Sequence, residues 1–114
     1  MTSSKLFPAP FIGLMRANKI KKFTVDLSSA RTDVSLVGEG LIPSKTFMAL
    51  TILNKGTGTF SFKLHFYDST NSESFSQDEV LNGDVFEVEF KDLIFTNVAQ
   101  AGLTAVFIAS WREV

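Results

Sequence analysis

The chain contains no cysteine, and only one histidine, one tyrosine, one tryptophan and three prolines. The missing cysteine excludes disulfides, thiolate zinc sites and a cysteine nucleophile, and leaves the redox compartment open. A lone His65 cannot supply the three or four ligands that a metal site draws from His, Cys and carboxylates, so a cupin-type metal enzyme is disfavoured. No run approaches the ~18–20 apolar residues that a membrane-spanning helix needs. The N-terminus lacks the charged-then-apolar pattern of a secretory leader. These absences predict a soluble protein with no membrane partner and no cofactor.

What the chain has instead is phenylalanine, twelve in 114 residues. Aromatic and β-branched side chains fit a pleated surface, and a chain of this length can bury a real core as one domain. Period-two alternation marks half-buried strands, because successive strand side chains point to opposite faces. Phe60, Phe62, Leu64 and Phe66 alternate with Ser61, Lys63 and His65. Phe86, Val88 and Phe90 alternate with Glu87 and Glu89, and Leu103 to Trp111 alternates through Ala105, Phe107 and Ala109. Phe60, Phe62, Leu64, Phe66, Phe86, Val88, Phe90, Phe107 and Ala109 are expected in one core.

Further strands are predicted over Lys21–Leu27, around Val34–Leu36, over Thr46–Leu53 and over Leu93–Thr96, with a short one near Ser74–Ser76. Ser28 to Asp33 reads as a polar turn. Asn54-Lys55-Gly56-Thr57-Gly58 reads as a hairpin turn, since Asn and Gly supply positive φ. Asn82-Gly83-Asp84 is a second turn. Asn97 to Gly102 reads as a structured turn, with Asn97 bonding nearby backbone and Gly102 at positive φ. About eight short strands at this spacing predict an all-β, antiparallel β-sandwich, jelly-roll-like, over residues 19–114.

Residues 1–18 are predicted to form an extended N-terminal arm. Pro8 and Pro10 keep them out of a ladder, while Leu6, Phe7, Phe11, Ile12, Leu14 and Met15 need an apolar surface to cover them. Residues 1–22 carry a charge of +5 and the remainder carries −6. Such asymmetry marks a segment that docks on an acidic partner, or lysines that guard an exposed strand edge. The partner surface is assigned to Leu6, Phe7, Phe11, Ile12, Leu14, Met15, Arg16 and Lys19. Near-neutral net charge and the scarcity of Tyr and Trp speak against nucleic acid as the partner.

The order of features resembles a known family. A strand leads into Asn54-Lys55-Gly56-Thr57-Gly58, then a strand with Lys63-Leu64, a Ser/Thr/Asn loop and the Asn82-Gly83-Asp84 turn. Phe86-Glu87-Val88-Glu89-Phe90 then leads to Ile94-Phe95-Thr96-Asn97-Val98-Ala99-Gln100-Ala101-Gly102 and a closing apolar strand. This is similar to the small β-sandwich structural proteins of tailed bacteriophages and related viruses, over Ile42 to Ala109. The resemblance implies a virion component: a capsid decoration, stabilising or adaptor protein, usually a homo-oligomer, that contacts a major capsid or other virion protein. It does not account for the apolar and basic N-terminal segment.

Other chemistry is weak in the sequence. Glu87 and Glu89 are a carboxylate pair that reads first as a solvated acidic face. Asp78, Glu79 and Asp84 lack calcium-loop spacing. The Lys55-Gly56 stretch departs from a phosphate loop, because Lys precedes Gly and a strand follows. No catalytic set is predicted. The alternative to a virion protein is a carbohydrate-binding or host-attachment module using Tyr67 and Trp111. Small size and surplus apolar surface predict self-association, with a trimer expected.

Overall fold

A computed structural model describes residues 17–113. Eight strands run β1 (Lys19–Asp26), β2 (Arg31–Ser35), β3 (Phe47–Asn54), β4 (Phe60–His65), β5 (Phe75–Ser76), β6 (Val85–Phe86), β7 (Asp92–Asn97) and β8 (Thr104–Trp111). One short 3-10 turn, Gln77–Glu79, follows β5. The strands form two antiparallel four-stranded sheets, ordered β1-β8-β3-β6 and β2-β7-β4-β5. The all-β sandwich read from the alternation is therefore present.

The alternation places the core between the sheets. On β4, Phe60, Phe62 and Leu64 are buried while Ser61, Lys63 and His65 are partly exposed. On β7 the buried side chains are Leu93, Phe95 and Asn97. On β8, Ala105, Phe107 and Ala109 point inward, and Trp111 closes the far end at 8% exposure. Phe107 stacks on Phe23 at 5.4 Å and meets Phe60, Phe62 and Phe95 edge-on at 5.9, 6.0 and 6.1 Å. Edge-to-face and offset stacking are the favoured aromatic arrangements, so one ring organises both sheets.

Val88 departs from the expected core set. The segment from Val85 to Phe90 is regular only at Val85–Phe86, which pair with Thr51 and Leu50. The ladder resumes at an isolated bridge between Phe90 and Phe47. The irregular stretch between them lets both Phe86 and Phe90 reach the core but leaves Val88 40% exposed. Phe66 and Phe86 pack on the core only partly buried.

Two turns also differ from expectation. Arg31 to Asp33 open β2 rather than belonging to a turn, with a register irregularity between Arg31 and Val34. The Asn54–Thr59 connection is not a hairpin, because β3 and β4 lie in different sheets. It crosses the end of the sandwich. Asn54 Oδ1 accepts from Gly56 N at 3.0 Å, and Gly56 sits at φ 65°. Its backbone approaches Thr104 so closely that a Cβ would lie 2.4 Å from the Thr104 carbonyl oxygen. Only glycine fits that crossing.

The proposed arm largely falls outside the described residues, including Leu6, Phe7, Phe11, Ile12, Leu14, Met15 and Arg16. The sheet's bonding begins before Lys19: Asn18 N donates to Trp111 O at 3.0 Å. The Asn18 side chain then clamps Glu113, donating to its carbonyl and accepting from its N–H. Lys19 is the first residue of β1 and is exposed.

Candidate functional surfaces

The connections at one end of the sandwich are tied to each other. Gln100 Oε1 accepts from Thr59 N at 2.7 Å, and its Nε2 donates to Thr59 O at 2.8 Å. Gln100 N also donates to Leu27 O. Asn97, buried at the end of β7, donates to the carbonyls of Ser29 and Val98 and accepts from Arg31 Nη1 at 3.1 Å. Arg31 in turn forms a two-pronged ion pair with Glu39. The Asn97–Gly102 segment is thus a structured turn, and its polar groups face inward to the fold.

Several side chains with conceivable chemistry are engaged in similar local work. Ser35 Oγ donates to Asp92, which also accepts from Val37 N at 3.1 Å and Leu93 N at 2.8 Å. His65 pairs in register with Asp92 on the neighbouring strand, but its Nδ1 lies 2.6 Å from Asn71 Oδ1. A serine nucleophile must donate to histidine, with the carboxylate behind the ring. Here serine bonds the carboxylate directly and His65 pairs with Asn71, so Ser35 and Asp92 cap a turn and the three form no triad.

Asp78 and Glu79 accept from Ser76 Oγ at 2.6 and 2.9 Å, and Asp84 accepts from Leu81 N. Among the described residues no three His, Asp or Glu side chains converge on a metal-sized site. Hydrogen bonds from Ser28, Thr70 and Ser76 hold the carboxyls of Asp26, Asp68 and Asp78 below their ordinary values. Glu113 is lowered by Lys45 first and then by Trp111 Nε1, which donates at 3.0 Å.

Three surfaces are left for contact with other molecules. The first is a shallow cleft of about 420 Å³ on the second sheet, lined by Arg31, Thr32, Thr59, Ser61, Ser76 and Thr96. Ala30, Val98 and Ala99 also line it and make its surface mainly apolar, and Phe60 beneath it is buried. The outward register of Ser61 and Thr96, which pair across β4 and β7, is the sequence signal that marks it. The second is the Tyr67 ring, 73% exposed with Lys91 Nζ 5.8 Å from its centre. Trp111 is not such a platform, because it packs edge-on against Phe47 in the core.

The third surface is the first sheet with its two edges. Ile20 on β1 and Val85 on β6 are 69% and 42% exposed. By register Ile20 lies beside Ser110, and Val85 beside Thr51. Thr51 in turn faces Ile108, whose β1 neighbour is Lys22, so Ile20, Ile108 and Val85 lie on the outer face interspersed with Lys22 and Thr51. The edges differ in charge. β1 carries Lys19, Lys21 and Lys22 against a single Asp26. The segment from Asp84 to Lys91 carries Asp84, Glu87 and Glu89 against a single Lys91.

No helix among the described residues is long and apolar enough to cross a membrane. No protein-family model, no curated protein and no solved structure matches the chain.

Proposed function

We propose that this chain is a non-enzymatic structural protein of a virion, a capsid decoration, stabilising or minor capsid protein that works through subunit interfaces. The observation that carries the reading is the pair of oppositely charged edges of the first sheet, β1 and 84–91, with Ile20 and Val85 exposed on them. Exposed strand edges of complementary charge favour contact with another protein. The order β1-β8-β3-β6 against β2-β7-β4-β5 supports a jelly-roll, since two interlocked Greek keys produce it. The resemblance of the Asn54–Gly102 features to phage β-sandwich proteins points the same way. Self-association, as a trimer, and assembly onto a capsid made in the host cytoplasm complete the reading.

Co-sedimentation of the purified full chain with capsids of candidate tailed phages tests it. Saturable binding supports the reading, and no binding to any capsid that admits decoration overturns it. A chain lacking residues 1–16 asks separately whether the predicted arm docks in trans. Trans docking requires that this chain stay folded and lose assembly or capsid binding, and one that assembles normally removes the arm from the interface.

A second reading, a carbohydrate-binding or host-attachment module, draws on the shallow cleft beside Ser61 and Thr96 and on exposed Tyr67. Binding on a glycan panel, abolished by Ser61→Val with Thr96→Val, would favour it over the capsid reading.

A further inference from the structure

We propose that the protein self-associates head to tail, with the basic β1 edge of one copy docking on the acidic 84–91 edge of the next. The inference rests on the homo-oligomer reading above and names its contact surfaces. Among the described strands, β1 and β6 are the two edges of one sheet. An edge strand offers unpaired backbone N–H and C=O groups to any chain that can align with it.

Four observations select a second copy as the occupant. The edges carry opposite charge: three lysines to one aspartate on β1, and three acids to one lysine over 84–91. Complementary patches steer association and reject like-charged surfaces. Neither Lys21 nor Lys22 has a carboxylate within 4.0 Å among the described residues. Each edge also has an exposed apolar anchor, Ile20 at 69% and Val88 at 40%. Finally, strand direction fits. Every pair in the sheet is antiparallel, so β6 of one copy placed beside β1 of a like-oriented copy is antiparallel too. The joined sheet would continue its own pattern.

Because the two edges differ, the contact is heterologous, and a heterologous contact closes into a ring when its rotation permits. Such a ring is a route to the proposed trimer. The irregular stretch between Phe86 and Phe90 gains a role in this arrangement. It sets Val88 and Glu89 outward, where a regular strand would have turned Val88 into the core.

Sedimentation velocity of the full chain over a concentration series tests this. The wild type should associate, and added salt should weaken it. Lys21→Glu with Lys22→Glu, and separately Glu87→Lys with Glu89→Lys, should each weaken association by about tenfold or more. The chain carrying all four reversals should regain it, because both edges have then exchanged sign. Circular dichroism checks that each variant is folded. If the glutamate variant unfolds, Ile20→Ser and Val88→Ser replace it, and each must weaken association without lowering Tm. An effect confined to the lysine variant overturns the proposal in favour of β1–β1 pairing or an acidic partner. So does a monomer at every concentration. A monomer that still binds capsids leaves the virion reading standing while this contact falls, and an oligomer that binds none does the reverse.

Discussion

Phe62 on β4 and Phe107 on β8 meet edge to face across the two sheets, their ring centres 6.0 Å apart. Both side chains are buried. Phe107 also touches Phe23, Phe60 and Phe95, so its loss opens a cavity bordered by both layers. Phe107→Ala and Phe62→Ala should each cost about 3–5 kcal/mol, the range for a large buried aromatic. Urea denaturation measures this, and a loss below about 1 kcal/mol would mean the register is misread.

Asn97 and Gln100 separate two kinds of turn support. Asn97 is buried, and its amide serves the carbonyls of Ser29 and Val98. Asn97→Ala removes these bonds and leaves the Ser29 carbonyl without its Asn97 donor, while Val98 O keeps Gln100 Nε2 and Arg31 Nη1 keeps Asp26 O. It should cost about 1–3 kcal/mol. Gln100 is only partly buried, so water can replace its bonds to Thr59. Gln100→Ala should cost about 0.5–1.5 kcal/mol. Equal losses in a thermal melt would contradict this ranking.

Gly56 and Gly102 both adopt positive φ, at 65° and 78°. Their surroundings differ: a Cβ on Gly102 meets nothing within 4 Å, whereas one on Gly56 meets the Thr104 carbonyl at 2.4 Å. Gly102→Ala should therefore cost about 1–2 kcal/mol from left-handed backbone alone. Gly56→Ala adds a clash with fixed backbone and should cost about 2–4 kcal/mol. Chemical denaturation of the two variants decides the order.

Acid should weaken the fold through Asp26, Asp68, Asp78 and Glu113. Each has its folded-state pKa lowered, the aspartates by hydroxyl hydrogen bonds and Glu113 first by Lys45. A lowered pKa stabilises the fold above the ordinary carboxylate value, and that contribution is lost as pH falls through the depressed one. The urea midpoint should thus decline as pH drops below about 4. Asp26→Asn with Asp78→Asn should flatten that decline, and an unchanged slope would assign acid sensitivity to other groups.

The surfaces were less legible in the sequence than the strands. The cleft on the second sheet is hidden in the sequence because Ser28 to Asp33 reads as a turn, although Ser61 lies on the polar face of its strand. Trp111 shares the parity of Phe107 and Ala109, so the alternation itself places it inward, against a role as an exposed platform. Gln100 bridges Thr59, a partner 41 residues away. Such long-range polar bonds leave no local pattern.

What the sequence by itself determined is the set of inward faces. Side-chain alternation is a property of extended backbone, so Phe60, Phe62, Phe107 and Ala109 declared their side before any partner was known. Only the tertiary structure decided which strands are neighbours. β1 lies beside β8, and Asn54 to Thr59 carries the chain from one sheet to the other. That choice depends on how the rings around Phe107 fill the space between the layers, a collective packing property that no single segment encodes. The same packing decided the break at Val88, where seating both Phe86 and Phe90 on the core outweighed strict alternation.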